Sequence, residues 1–151
     1  METTREINTG TFIHLSTLSQ FFIPFGNFIF PIIIWTSKKD KSEFIDYNGK
    51  QVINFQLSIM LYTLVLAMIA IPIFILAVFN NIPFHSIVNN HDIIFECINN
   101  KNIIGIAIVA LISILIFISL KVAEFLLIIY ASLKTANGEK YKYPLSISFI
   151  K

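Results

Sequence analysis

Three long apolar segments separated by polar loops dominate the pattern of hydrophobic and polar positions along the chain. They cover about residues 11–35, 52–79 and 103–134. A helix of about 20 residues crosses the hydrocarbon core of a bilayer, so each segment is long enough to cross once. The pattern predicts an all-α integral membrane protein in which residues 1–151 form a single polytopic membrane domain.

The first segment is broken in its middle. Pro24-Phe25-Gly26-Asn27 interrupts it and Pro31 follows, and each proline removes a backbone donor while the glycine relaxes the chain. Two interpretations remain: one broken helix that spans the membrane, or a re-entrant pair of half-helices with both ends on the same side. In either case we expect the break to face other helices and not lipid, because irregular backbone at membrane depth needs polar partners.

The number of crossings decides the side on which the N-terminus lies. We favour the broken span, which gives three hydrophobic helical segments that each cross the membrane. An odd number of crossings places the N-terminus outside the cell, whereas a re-entrant first segment places it inside.

The loops differ in their content of basic residues. Residues 36–51 form a lysine-rich loop close to the membrane ends, and the tail 135–151 also carries several lysines, whereas Lys101 is the one basic residue in the loop 80–102. The positive-inside rule therefore places the loop 36–51 and the tail in the cytoplasm and the loop 80–102 outside it. This topology is that of a multi-pass protein of the cell's inner membrane.

Three shorter patterns refine this picture. Asn48-Gly49 predicts a tight turn before the second span, because both residues tolerate positive φ. The loop 80–102 repeats apolar residues about every 3.6 positions, which predicts a short interfacial amphipathic helix. Gly138 is typical of a helix stop, and residues 141–149 alternate with a period of two, which predicts a strand-like segment on the membrane surface.

Composition narrows the class of protein. Of 151 residues, 56% are hydrophobic and 13% are charged, whereas soluble domains average about 25% charged residues. The net charge of +2 is too small to indicate a nucleic-acid partner. Cys97 is the single cysteine, so no internal disulfide can form.

Polar residues at the edges of the apolar segments are the first candidates for a site. Gln51 and Asn54 share one helix face at the start of the second span. They can bind a partner, a lipid headgroup or a translocating segment, or they can form interhelical hydrogen bonds, which is the usual role near span ends. His14 has only hydroxyl and amide neighbours, which are poor metal ligands, so we expect a hydrogen-bonded interface residue.

Charged and metal-binding residue types offer little chemistry. Lys121 and Glu124 are spaced i, i+3 in the inner half of the third span, and we expect a structural pair, since an ion pathway needs such groups on successive spans. The one metal-like cluster lacks the spacing of a compact site: His85, His91, Asp92, Glu96 and Cys97. With no nucleophile–base pair or phosphate loop present, we expect no enzyme, no metal and no cofactor.

Several stretches together resemble a known family. They are His14-Leu15-Ser16, Pro24-Phe25-Gly26-Asn27-Phe28-Ile29-Phe30-Pro31 with Ile34-Trp35, Gly49-Lys50-Gln51 with Asn54-Phe55-Gln56-Leu57-Ser58, and Gly138-Glu139-Lys140-Tyr141-Lys142-Tyr143-Pro144-Leu145. In that order they resemble a short bacterial membrane family similar to the chloroplast inner-envelope import component Tic-twenty. The resemblance implies a polytopic helical protein and a part in protein translocation or membrane-complex assembly.

Our functional hypothesis is a non-catalytic binding or assembly module that contacts membrane lipid and another membrane protein or a second copy of itself. The alternative is an oligomeric pore or small-solute transporter, and a third possibility is a lipid-organising protein with no specific partner. The candidate interaction or packing residues are His14, Pro24, Pro31, Trp35, Gln51, Asn54, Gln56, Lys121, Glu124, Gly138, Glu139, Tyr143 and Pro144.

Overall fold

The computed structural model describes residues 2–81 and 101–151, and these residues form four α-helices and no strand. The helices are α1 (Thr4–Ser16), α2 (Gly26–Lys38), α3 (Glu43–Asn81) and α4 (Lys101–Ala136). A 3₁₀ turn, Thr17–Phe21, continues α1. The predicted all-α class is confirmed for this part of the chain, and the predicted amphipathic helix falls largely on residues 82–100, outside it.

Two of these helices are long and apolar enough to cross a membrane. The qualifying stretches are Glu43–Leu76 in α3 and Gly105–Ala136 in α4. The predicted third span is not confirmed, because residues 11–35 are divided between α1 and α2. Each of these helices has 13 residues, which at 1.5 Å per residue is about 20 Å and shorter than the hydrocarbon core.

Helices α1 and α2 pack against each other as a hairpin. A capping box starts α1, in which Thr3 and Glu6 satisfy each other's backbone amides. At the other end of the hairpin, Phe25 adopts a left-handed conformation with φ of 61° directly before α2. A Cβ on Gly26 would lie 2.9 Å from the backbone of Ser19, so glycine is needed for the two arms to approach this closely.

Helix α3 begins well before the predicted span. The predicted loop 36–51 is wrong over most of its length, because α2 continues to Lys38 and a 3₁₀ turn covers Lys39–Lys41. Only Ser42 is extended, and α3 starts at Glu43 with acidic residues in its first turn. The predicted turn at Asn48-Gly49 is also wrong, since both residues are helical. A Cβ on Gly49 would overlap the indole ring of Trp35, so this glycine serves close packing and not a turn.

Helix α4 ends at Ala136, and Gly138 follows with φ of 79°. The amide of Glu139 donates to the carbonyl of Lys134 at 3.1 Å, which closes the helix end. The residues after α4 (137–151, the tail) form neither helix nor strand. The predicted strand-like segment is therefore wrong, for a reason that lies in the site below.

The described chain divides into two compact units. The first contains the residues up to Leu61 and those from Leu120 onward, and the second is Tyr62–Ser119. The first unit has a buried core of apolar side chains from α1, α3, α4 and the tail: Ile13, Phe44, Val52, Phe55, Ile128, Ala131 and Tyr143.

The second unit, taken by itself, exposes most of its large apolar side chains, which suits helices that face lipid. It contains an apolar cavity of about 280 Å³ whose lining includes Ala70, Phe74, Ala110 and Ser113. Each helix contributes about 20 residues to this unit, or roughly 30 Å of helix.

Candidate functional site

A line of hydrogen bonds inside the first unit joins α1, α3, α4 and the tail. His14 of α1 is completely buried; its Nδ1 lies 2.8 Å from the Tyr143 hydroxyl and its Nε2 lies 3.0 Å from Oδ1 of Asn48. Thr135 of α4 donates its hydroxyl to the same Oδ1 at 3.2 Å. We refer to His14, Asn48, Thr135 and Tyr143 as the buried polar chain.

Asn48 fixes the direction of the hydrogen bonds in the buried polar chain. Its Nδ2 donates to the carbonyl oxygen of Phe44 at 2.8 Å, so Oδ1 is the acceptor that faces His14. His14 therefore carries its hydrogen on Nε2, and its bare Nδ1 accepts the hydroxyl hydrogen of Tyr143. One arrangement of hydrogens satisfies all four side chains, and it leaves each of them neutral.

Burial keeps these groups neutral over a wide range of pH. Loss of hydration lowers the pKa of His14 from 6.5 to about 4, against the opposing effect of its hydrogen bond to Asn48. Burial also raises the pKa of Tyr143 well above its ordinary value of 10, with a smaller contribution from Tyr141 and Glu124. At pH 7 the imidazole is uncharged and the phenol keeps its hydrogen, as the bonding pattern requires.

Aromatic contacts hold Tyr143 in place. Its ring stacks on Phe55 of α3 with the centroids 4.0 Å apart and the planes at 7°. Tyr141 meets Tyr143 edge-on at 5.3 Å, and Tyr130 of α4 meets Tyr141 in the same way at 5.4 Å. Such pairs add about 1 kcal/mol each to the burial of the rings. Tyr143 therefore anchors the first part of the tail, while the following Pro144 is exposed.

Asn54 binds the end of the tail through its side-chain amide. Oδ1 accepts from the backbone amides of Phe149 and Ile150 at 3.0 and 2.8 Å, and Nδ2 donates to the carbonyl of Ile150 at 2.9 Å. Ser58, one turn further along α3, accepts from the amide of Ile147 at 2.8 Å. These side chains take the place of a neighbouring strand, which explains why the alternating tail forms none.

Gln51 does not share this role. It is half-buried, and its side chain forms no hydrogen bond with another residue of the described chain. The shared helix face predicted for Gln51 and Asn54 therefore separates into one residue that binds the tail and one that does not.

Lys121 and Glu124 form an ion pair with N and O 2.8 Å apart. The Glu124 carboxylate is almost completely buried and also accepts a hydrogen bond from Gln20 Nε2 at 3.0 Å. Close to it, Phe21 and Phe125 meet edge-on at 6.4 Å. The hydrogen bond from Gln20 ties the hairpin to α4.

Helix α2 is tied to α3 at two levels. Nδ2 of Asn27 donates to Oε1 of Gln56 at 2.8 Å, while the buried Nε2 of Gln56 has no partner among the described residues. Near the C-terminal end of α2, Nε1 of Trp35 donates a hydrogen bond to Oδ1 of Asp46 at 3.0 Å. Pro31 lies buried between these two levels.

The other predicted residues lie at the edges of this unit. Pro24 is exposed in the hairpin turn. Gly138 and Glu139 end α4, and the Glu139 carboxylate pairs with Lys134 at 2.8 Å. The structure thus brings His14, Asn54, Tyr143 and Glu124 into one unit, each bound to another part of the same chain.

Sequence reasoning missed three residues that the site needs. Asn48 is the hub of the buried polar chain, Thr135 binds it, and Ser58 binds the tail. The signal that could have revealed Asn48 is the start of α3: a serine followed by acidic residues in the first turn, Glu43 and Asp46, is typical of a helix N-terminus. That assignment places Asn48 one turn inside a helix.

No group of three or more His, Cys, Asp or Glu residues that could hold a metal ion occurs in residues 2–81 and 101–151. The predicted cluster around His85 and Cys97 lies outside those residues. The polar side chains described above form hydrogen bonds between different parts of the chain.

These features define a small helical membrane protein whose buried polar residues pack its own helices and tail together. Residues 5–150 match the family model of the magnetosome magnetite crystal formation protein family (MamF/MmsF). Because this match covers nearly the whole chain, the protein belongs to that family. No match was found among curated proteins or solved structures.

This result corrects two predictions. The resemblance to the Tic-twenty-like family is wrong, because the family model that matches is that of magnetite crystal formation. The predicted function, an assembly module tied to protein translocation with a pore or transporter as alternative, is overturned with it. The stretches that suggested translocation contain residues such as His14, Asn54 and Tyr143, which here bind parts of their own chain.

Proposed function

We propose that this protein takes part in magnetite crystal formation as a non-catalytic, two-span protein of the magnetosome membrane. In this proposal the first unit is a rigid structural element at the cytoplasmic side of the membrane. The tail belongs to that element and is not a free extension.

The part in crystal formation follows from membership of the family, and the closure of the buried polar chain supports the non-catalytic, structural role. A catalytic base or nucleophile needs a free atom directed towards a substrate. In this protein both imidazole nitrogens of His14 are engaged, one by Tyr143 and one by Asn48. The amide of Asn54 is likewise occupied by the tail. These polar groups hold the fold together, which favours a structural role.

Charge supports the proposed orientation. Of the basic residues, all except Lys101 belong to the first unit, and basic residues near span ends favour the cytoplasmic side. With α3 and α4 as the two spans, both ends of the chain lie on that side. Lys101 stands alone at the opposite end of α4.

The test is complementation in a magnetite-forming bacterium that lacks its own family member. Wild-type chain should restore crystal size, measured by electron microscopy. Asn48→Leu should fail to restore it, because the first unit loses its hub, while Asn8→Leu, at an exposed position of α1, should behave as wild type.

Immunoblots of isolated magnetosome membranes must show all three chains at similar levels. If wild-type chain reaches that membrane and crystal size does not change, the proposed part in crystal formation is wrong. If Asn48→Leu restores full crystal size, the structural role of the first unit is wrong.

A further inference from the structure

The turn of the α1–α2 hairpin exposes three phenylalanines. Phe21, Phe22 and Phe25 are 62%, 88% and 71% exposed, and Ile23 and Pro24 between them are also exposed. We call residues 21–25 the hairpin tip. A tip of this composition is unfavourable in water, since moving the side chain of phenylalanine into an apolar medium lowers its free energy. The break at residues 24–27 was expected to face other helices; Asn27 does so by binding Gln56 of α3, whereas Pro24 and Phe25 are exposed.

Three backbone hydrogen bonds close the turn at the tip. The amides of Phe22 and Ile23 donate to the carbonyl of Ser19 at 3.0 and 2.9 Å, and Gly26 donates to Ile23 at 3.0 Å. Pro24 has no amide hydrogen to satisfy. An unpaired backbone group is costly in hydrocarbon, and these bonds within the turn reduce that cost.

The hydroxyl groups leading to the tip are satisfied in the same way. Ser16, Thr17 and Ser19 donate to carbonyls three residues earlier, at distances between 2.6 and 2.7 Å. None of these hydroxyls needs water as a partner. The approach to the tip is thus as compatible with an apolar medium as the tip itself.

The tip contains one residue with a strained backbone. Phe25 is the one residue other than glycine with positive φ in the described chain, and this region is unfavourable for an aromatic residue. The strained turn lets Gly26 pack on Ser19 and turns Phe25 outward. A soluble hairpin would gain nothing from strain that exposes a phenylalanine.

The opposite end of the hairpin is charged. Arg5 and Glu6 lie in the first turn of α1, and Lys38 ends α2. Trp35, a residue type that favours the membrane–water interface, lies one turn inside Lys38. From Trp35 to Phe25 the chain rises about 15 Å, which is half the thickness of a hydrocarbon core of about 30 Å.

We propose that the α1–α2 hairpin enters one leaflet of the bilayer from the cytoplasmic side and ends near the midplane, where acyl chains surround its tip. In this arrangement the hairpin does not span the membrane, and it occupies area in the cytoplasmic leaflet only. This inference rests on the orientation given under the proposed function, and its test separates the two.

The test uses single cysteines in a Cys97→Ser background of the full chain, in native membranes. Glu2→Cys, Asp40→Cys and Ser148→Cys report the two ends of the hairpin and the tail, and all three positions are exposed. A membrane-impermeant maleimide should label all three from the cytoplasmic side. Labelling of Glu2→Cys from the opposite side alone would overturn the hairpin proposal and leave the orientation of α3 and α4 standing. Outside labelling of Ser148→Cys and Asp40→Cys would overturn the orientation.

Depth is measured with a fluorophore on Phe22→Cys in the purified full chain, reconstituted in vesicles that contain nitroxide-labelled lipids. Nitroxides near the acyl-chain end should quench this probe at least about twofold more than nitroxides near the headgroup, since the probe lies in the hydrocarbon core. The matched control, Phe12→Cys, lies about 15 Å higher along α1 and should show the reverse preference.

Two results would overturn insertion. A probe at position 22 that aqueous iodide quenches lies in water. A probe that neither lipid nitroxides nor iodide quench, together with disulfide-linked dimers of Phe22→Cys, means that a second copy of the chain covers the tip.

Discussion

The two units of this protein differ in what surrounds their side chains. In the first, polar groups such as His14, Asn48 and Glu124 are buried and bound to partners far away in the sequence. In the second, the large apolar side chains of α3 and α4 are mostly exposed. The first unit depends on specific internal contacts, whereas the second depends on helical backbone bonds and on its lipid surroundings.

Helix α3 makes the contrast clear, because it belongs to both units. Up to Leu61 it carries buried residues that bind α1, α2 and the tail, and beyond that point it carries exposed apolar residues. The difference teaches that single substitutions should have large effects in the first unit and small ones in the second. The following predictions test that contrast.

The largest effect should come from Asn48→Leu. Leucine has a similar volume but removes the acceptor for His14 and Thr135 and the donor to the Phe44 carbonyl. Buried groups left without partners cost about 1–3 kcal/mol each, so we expect a loss of about 4 kcal/mol. Denaturant unfolding in micelles, followed by the fluorescence of the single tryptophan Trp35, measures this loss.

Asn8→Leu is the matched control for Asn48→Leu. It makes the same change on the exposed side of α1 and should alter stability by less than about 0.5 kcal/mol. Equal unfolding midpoints for the two variants would show that the buried polar chain does not stabilise the first unit.

Acid should destabilise the first unit through His14. Its pKa is about 4 in the folded protein and near 6.5 when unfolded. Above pH 6.5 neither state binds the proton, so the full stability is present. As pH falls from 6.5 to 4, the unfolded chain gains a proton that the folded chain refuses, and stability falls by about 3 kcal/mol.

Unfolding midpoints measured between pH 7 and pH 4 check this prediction. His14→Gln should be less stable at pH 7 but should lose much less on acidification. The difference between the two pH profiles isolates His14, because His85 and His91 are present in both chains. Parallel profiles would contradict the assignment of the proton to His14.

The contrast between the units also explains which features could be predicted from sequence. The apolar segments 52–79 and 103–134 lie within α3 and α4, because a continuous apolar run indicates a helix whatever its neighbours are. The local sequence pattern gave a wrong prediction where contact with a residue distant in the sequence determines the structure. Asn48-Gly49 has the composition of a turn, yet Gly49 is small because Trp35 packs on it.

The predictions made for residues 141–149 and for the break in the first segment missed related information. A period of two in residues 141–149 resembles a strand, but its amides bind the side chains of Asn54 and Ser58. The break was expected to need protein neighbours, but the amides of Phe22, Ile23 and Gly26 bind carbonyls of Ser19 and Ile23 within the turn. In both cases the missing information was the partner of each backbone amide, which the apolar pattern does not encode.

Release of the tail is the next test. Asn54→Ala removes three hydrogen bonds to Phe149 and Ile150 and should cost about 2 kcal/mol. We expect the amides of the last residues to exchange with deuterium much faster than in wild type, as measured by mass spectrometry. Gln51→Ala, one turn earlier at a half-buried position, should leave that exchange unchanged. Equally slow exchange in both variants would mean that Asn54 does not hold the tail.

Two matched glycine substitutions should give the smallest effects and compare the units directly. Gly49→Ala places a methyl group on the indole of Trp35, whereas Gly105→Ala meets no atom within 4 Å. Alanine favours a helix over glycine by about 1 kcal/mol, so Gly105→Ala should stabilise slightly. In Gly49→Ala the overlap costs about 1–3 kcal/mol and outweighs that gain. Thermal unfolding followed by circular dichroism should therefore shift in opposite directions for the two variants, and shifts in the same direction would remove the contrast between the units.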